Sequence, residues 1–217
     1  MVRQLSLLAI ASAMMIGAQS LAAQAPKAPG ATAKGRALRL VLAPEGNEAR
    51  YKVREQLVGL EFPNDAVGKT SKVTGMLMIG ADGKIVKDSS RFTVDLASIT
   101  SDKPNRDNYV RTRTLMTAEH PTAVFVPTSA VGLPAVLPTT GELKFDLVGD
   151  LTVRGVTKPS TWKVTAKMMP GESVAGTAST NFKFGDFNMT VPTARIVLSV
   201  VDEITLEYDF TLVPKTP

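Results

Sequence analysis

The sequence contains no cysteine and a single histidine, His120. Without cysteine, the chain can form neither a disulfide nor a thiolate nucleophile, and it offers no cysteine for lipid acylation. One histidine in the absence of cysteine also argues against a zinc site. The glycine-rich phosphate loop and the Gly-x-Ser-x-Gly elbow of serine hydrolases are missing as well. The sequence therefore predicts a protein that is not an enzyme and that needs no metal or cofactor.

The sequence also lacks a large excess of charge of either sign. The formal net charge is +5 over 217 residues, and the basic residues are interspersed with acidic ones. Because a nucleic-acid surface needs basic residues clustered on one face, we expect no nucleic-acid partner. A chain of this length can bury a core without disulfides or metals.

The first residues have the pattern of a secretory signal peptide. Arg3 precedes an uncharged apolar run over residues 5–18, and small residues follow up to Ala23. The run is shorter than the roughly 20 residues that a membrane-spanning helix needs. We predict a signal peptide over residues 1–23, a flexible linker over 24–37 and one domain over 38–217. The expected location is the periplasm or the exterior, with no stable membrane insertion after cleavage; monomer and homodimer both stay open.

Apolar and polar residues alternate along most of the domain. Near the C-terminus, Ile204, Leu206 and Tyr208 share one face, whereas Thr205 and Glu207 share the other. This is typical of an antiparallel sheet with one buried face. Similar patterns occur in residues 51–57, 73–79, 85–94, 143–153, 162–168 and 174–184. Closely spaced strands with Gly and Pro turns predict an all-β barrel or sandwich.

One interval departs from this alternation. Residues 105–116 contain neither Gly nor Pro, Asn105 is a candidate N-cap, and Asp107 falls in the first turn. We predict one or two helical turns here, ended by His120 and Pro121.

Residues 149–159, with the sequence GDLTVRGVTKP, resemble the signature of the YceI-like family. Arg106 with Asp107, His120 with Pro121, and residues 182–187 are similar to other parts of that family's pattern, and the resemblance extends over about 51–213. It implies an antiparallel, lipocalin-like β-barrel of about eight strands with one short helix. It also implies a polyisoprenoid or similar amphiphilic lipid as the ligand. Family members commonly carry histidine near the first strand and just after the Arg-Asp pair, whereas this sequence has Arg-Glu-Gln at residues 54–56 and Asn-Tyr at residues 108–109, which indicates a divergent branch.

On this basis the candidate site has an apolar lining and a polar mouth. We expect the mouth to include Glu55, Arg106, Tyr109 and Arg113. Glu55 lies in the apolar register of its strand, where it either pairs with an arginine or is turned to solvent by a bulge. The alternative function is a ligand-free module with a packed barrel, unless small inward residues such as Gly75, Gly176 and Ala178 leave room. The candidate lining residues are Phe92, Phe125, Phe145, Trp162, Phe182 and Phe184.

Overall fold

The structure, a computed structural model, describes residues 36–215. The predicted signal peptide and all but the last two residues of the predicted linker lie outside this range. Across residues 36–215, no helix has the length and apolar character needed to cross a membrane.

Strands dominate the described residues, and one short helix, α1, covers Pro104–Tyr109 and continues as a π-helical turn over Val110–Thr114. The strands are β1 (Leu38–Leu42), β2 (Glu48–Leu57), β3 (Asn64–Thr70), β4 (Val73–Ile79), β5 (Arg91–Asp95), β6 (Thr122–Val131), β7 (Gly141–Val153), β8 (Val156–Met169), β9 (Ser173–Phe182), β10 (Val197–Val200) and β11 (Ile204–Pro214).

The strands close into an antiparallel barrel. Eight of them pair in the order β1-β4-β5-β6-β7-β8-β9-β11, and β11 pairs back to β1 to complete the ring. β2 pairs with the same edge of β11 as β1 does, but with residues nearer the start of β11. The other edge of β2 pairs with β3, and the last residues of β2 pair with β10. The predicted lipocalin-like barrel with one short helix is confirmed.

The motif in residues 149–159 builds the hairpin between β7 and β8. Val153 pairs with Val156, so the turn consists of Arg154 and Gly155 alone. Both have positive φ, 49° and 74°, as the type I′ turn of a two-residue hairpin requires. Glycine reaches this region without steric penalty.

Three local predictions were wrong. The strand expected over 85–94 is interrupted by a 3-10 turn at Lys87–Ser89. Here the buried Ser90 hydroxyl accepts a hydrogen bond from the backbone N–H of Met78 (3.0 Å), so a side-chain bond replaces a backbone bond between the strands. The strand expected up to residue 184 ends at Phe182, and Phe184–Phe187 forms a 3-10 turn. The helix begins at Pro104, which suits a first helical turn, so Asn105 is not its N-cap.

Candidate functional site

The barrel is hollow. A cavity of about 170 Å³ lies between the inner faces of the strands. Apart from Arg50, Glu207 and two tyrosines, every residue that lines it is apolar. Arg50 and Glu207 alternate with the inward Tyr51 and Leu206, so their side chains point to the outer face of the barrel. The predicted residues Phe92, Phe125, Phe145 and Trp162 all line this inner cavity.

A wider cavity of about 680 Å³ lies beneath α1, and Phe182 and Phe184 are part of its lining. It is bounded by α1, β2 and β10, which places it at one end of the barrel. Five residues line both cavities and form the boundary between them, which we call the neck; they are Tyr51, Leu96, Ile99, Ala123 and Leu206. Ligand pockets usually have volumes of roughly 300–1,000 Å³. The wide cavity is therefore large enough for a small amphiphile.

Aromatic rings occupy the space above inward glycines of neighbouring strands. A Cβ on Gly75 would lie 2.5 Å from the ring of Phe92, and a Cβ on Gly176 would lie 2.9 Å from the ring of Phe210. Each glycine faces that aromatic residue directly across the sheet. Bulky neighbours therefore fill the room immediately above these glycines, while the centre of the barrel remains open.

Arg106 and Glu55 form a buried ion pair at the wide cavity. An Arg106 guanidinium nitrogen (Nη2) donates to Glu55 Oε1 at 2.7 Å, and the two side chains are only 14% and 9% exposed. Of the two interpretations of Glu55, the structure therefore supports the pair with an arginine. Arg106 also donates to Asp102. Burial lowers the pKa of Arg106, but the hydrogen bonds to Asp102 and Glu55 outweigh it and raise that pKa overall.

The loop before α1 is held by Asp107. Its buried carboxylate accepts hydrogen bonds from the Ser101 backbone N–H (2.8 Å) and hydroxyl (2.6 Å). These bonds fix the start of the helix, and Arg106 is the preceding residue. The helix can thus present Arg106 to β2 in one defined position.

The other predicted mouth residues lie in different environments. Tyr109 is half-buried and lines the wide cavity. Arg113 is exposed and lines neither cavity, because the π-helical turn carries it to the outer surface. Nearby Arg111 donates to the carbonyl of Ile99 at 2.9 Å. Among the three arginines, Arg106 is the one that contacts the cavity.

Three lining residues carry a buried polar atom without a hydrogen-bond partner in the described part of the chain: Tyr51 Oη, Thr114 Oγ1 and Trp162 Nε1. Burial raises the pKa of Tyr51 to about 12, so its hydroxyl remains protonated. Sequence reasoning identified Trp162 but missed Tyr51 and Thr114. Tyr51 was detectable as an inward residue of its alternating strand, whereas nothing in the sequence indicated Thr114.

The described residues hold no cluster of three or more His, Asp or Glu side chains that could bind a metal ion. His120 lies at the β7–β8 turn, where its ring carbon is 3.1 Å from the position of a Cβ on Gly155. The ring of the lone histidine thus lies beside the glycine of this hairpin turn.

Residues 41–212 match the family model of the YceI-like domain. The chain belongs to the YceI-like family. Among its relatives, a UPF0312 protein of Pseudomonas putida is 33% identical over 115 residues, which cover 49% of this chain and 56% of the relative. Another, from Ectopseudomonas mendocina, is 29% identical over 140 residues, 55% of this chain and 69% of the relative. The match thus spans little more than half of the P. putida protein.

Solved structures of the YceI-like type share the fold. Burkholderia cenocepacia BcnA superposes with a TM-score of 0.56 at 18% identity and covers 76% of this chain and 95% of its own. A polyisoprenoid binding domain from Saccharophagus degradans, implicated in plant cell wall breakdown, superposes with a TM-score of 0.59 at 11% identity. That match covers 82% of this chain and 99% of the other.

Proposed function

We propose that this YceI-like protein binds an amphiphilic lipid inside its barrel and sequesters or transports it in the periplasm. The observation that carries the proposal is the apolar inner cavity, which lies across the neck from a wider cavity with a polar side. The S. degradans domain, described as polyisoprenoid binding, supports a polyisoprenoid, quinone-like or fatty chain as the ligand class. No step of catalysis is part of the proposal.

The apolar tail would occupy the inner cavity and the neck. Each buried methylene contributes about 0.8 kcal/mol, so three isoprene units supply on the order of 10 kcal/mol. Association costs about 4–15 kcal/mol. Micromolar affinity corresponds to about −8 kcal/mol, so three units fall short of it at most of these costs. About six units supply roughly 24 kcal/mol by the same measure and reach micromolar affinity over the whole range.

The polar end of the ligand would lie beside Arg106 and Tyr109. Arg106 is already shared between Glu55 and Asp102, and Lys103 is the other basic residue of this lining. Two carboxylates thus balance two cations there. Because no positive charge is left over, a neutral headgroup, such as a hydroxyl or a quinone carbonyl, fits better than a pyrophosphate. The free hydroxyls of Tyr51 and Thr114 are suitable partners for such a group.

Native mass spectrometry of protein purified without detergent from a bacterial periplasm tests the proposal, together with organic extraction of the bound material. We expect a stoichiometric long-chain isoprenoid, quinone or fatty acid. Protein that is empty as purified and stays empty after incubation with geranylgeraniol and a long-chain quinone would overturn it. The alternative of a ligand-free module would then be the better account.

A variant at the neck gives a sharper test. Ala123 lines both cavities, so Ala123→Leu should obstruct the passage and weaken geranylgeraniol binding at least tenfold. Ala175→Leu is the matched control, because Ala175 alternates with the buried Val174 on β9 and lines neither cavity. We expect the control to bind as the wild type does. Equal affinity for all three proteins would mean that the tail does not pass the neck.

A further inference from the structure

Large apolar side chains are exposed around the opening of the wide cavity. Each is between 49% and 71% exposed, and three of them follow β2 while the other three lie on or beside β10. We call this set the apolar lip. In residues 36–215, the remaining exposed large apolar residues, Val86, Val131 and Val136, lie outside these two segments. The lip consists of Val58, Leu60, Phe62, Ile196, Leu198 and Val201.

The two segments form one continuous surface. The N–H of Val58 donates to the carbonyl of Ile196 at 2.9 Å, and the N–H of Val201 donates to the carbonyl of Arg54 at 2.9 Å. Between these bonds β10 pairs with the last residues of β2. The end of β2 and the segment around β10 are therefore held side by side.

The lip is also continuous with the cavity lining. Ile196 is 64% exposed and at the same time lines the wide cavity. Leu57, Val197 and Val200 of the same strands line that cavity as well. Through Ile196, the exposed apolar surface is thus continuous with the apolar part of the cavity lining.

We propose that the apolar lip inserts into the surface of a zwitterionic lipid bilayer, so that the cavity opens directly into the membrane. The idea that docking loads the lipid ligand into the barrel rests on the proposed function, whereas the docking itself does not. An apolar chain could then move between bilayer and barrel without exposure to water.

The charges around the lip favour a zwitterionic surface over an anionic one. Arg54 pairs with Asp65 at 3.0 Å, and Arg106 pairs with Glu55. Within the two segments that carry the lip, residues 58–62 and 195–203, three exposed acidic residues, Glu61, Asp202 and Glu203, outnumber one exposed basic residue, Arg195. Attraction to anionic lipid needs a basic surplus, so binding must depend on apolar insertion.

A second copy of the chain is a less suitable occupant. A partner seated on the lip would cover the mouth of the cavity and close the entry to the barrel.

Co-sedimentation of the purified protein with cargo-free phosphatidylcholine vesicles tests the proposal. We expect the wild type to sediment with the vesicles and Phe62→Ser/Leu198→Ser to bind at least tenfold more weakly. The matched control is Val131→Ser/Val136→Ser, which removes two exposed apolar residues, one at the end of β6 remote from the wide cavity and one in the loop that follows it. Its binding should equal that of the wild type, and 0.5 M salt should change wild-type binding less than twofold.

Several results would overturn membrane docking. Wild-type protein that stays in the supernatant would do so, as would unchanged binding of the lip variant or binding restricted to anionic vesicles and abolished by salt. A wild-type dimer that the lip substitutions convert to a monomer would identify a second copy as the occupant. Because the vesicles carry no cargo, the result is separable from cargo binding. Protein that docks but never takes up geranylgeraniol would refute the carrier function alone.

Discussion

The buried pair of Arg106 and Glu55 predicts an asymmetric response to mutation. Arg106→Met removes the cation and leaves the Glu55 carboxylate, 9% exposed, without its charged partner. Breaking a buried pair in this way costs about 3–5 kcal/mol. We use the lower end, about 3 kcal/mol, because the wide cavity beside Glu55 can admit water. A domain of this size loses about 2–4 °C in Tm per kcal/mol, so Tm should fall by roughly 6–12 °C.

Glu55→Gln should be milder. Arg106 keeps its contact with Asp102, and one of its nitrogens (Nη1) lies 3.4 Å from the hydroxyl of Ser101. The cation therefore retains a carboxylate partner, and we expect a loss of about 1 kcal/mol. The double variant Glu55→Leu/Arg106→Met removes both buried charges and should lie within about 1 kcal/mol of the wild type, since an apolar replacement of a buried pair is often neutral.

Equilibrium unfolding in urea, followed by fluorescence, measures all three variants. Trp162 is the single tryptophan, is 8% exposed and packs against Phe125 with ring centroids 5.5 Å apart, so unfolding will change its emission. The reasoning would be refuted if Glu55→Gln destabilised the protein as much as Arg106→Met. It would also fail if the double variant were the least stable of the set.

Two further predictions concern the barrel wall and its outer charges. In Gly68→Ala the new Cβ would lie 2.2 Å from the ring of Tyr51, so the ring must move into the neck. Urea unfolding should show a free energy of unfolding that is lower by about 1–3 kcal/mol. Geranylgeraniol binding should weaken as well. Gly185→Ala, whose Cβ meets nothing within 4 Å, should show neither effect. On the outer face, hydrogen bonds from Arg50 lower the pKa of Asp209. The lowered pKa stabilises the fold fully above the unfolded carboxyl pKa of about 4. This stabilisation is lost as the pH falls through the pKa of Asp209 in the folded protein. Arg50→Gln should therefore lower the free energy of unfolding by about 1 kcal/mol at pH 7 and by less at pH ~2.5. Thermal unfolding at the two pH values measures this, and a loss that is the same at both would contradict the explanation.

Much of the fold could be predicted because strand alternation is local. The inward register of Ile204, Leu206, Tyr208 and Phe210 needs no knowledge of partner strands, and the structure places these residues on β11. Closure of the barrel depends on pairs such as Leu42 with Leu212, which are remote in sequence. The resemblance of residues 149–159 to a known family supplied that closure, since alternation alone was compatible with a sandwich.

The site was harder to predict because its key contacts join distant residues. Glu55 and Arg106 come from a strand and a helix separated by 51 positions, and neither local pattern specifies the other. The displacement of Arg113 to the outside has a similar origin, because the π-helical turn changes the direction of each side chain after Tyr109. An unpartnered atom such as Thr114 Oγ1 is a property of the packed environment and has no sequence signal.

The hollow interior follows from which residues face each other across the sheet. Small inward residues alone do not create a cavity, since the rings of Tyr51, Phe92 and Phe210 occupy the space above the glycines opposite them. A ring that lies against a glycine is supported by the wall, so its bulk is placed at the edge of the barrel and not across its axis. The same aromatic residue opposite a larger side chain would have to project inward and fill the lumen. The open interior therefore depends on the register between glycine and aromatic residues, which a count of small residues in the sequence cannot reveal.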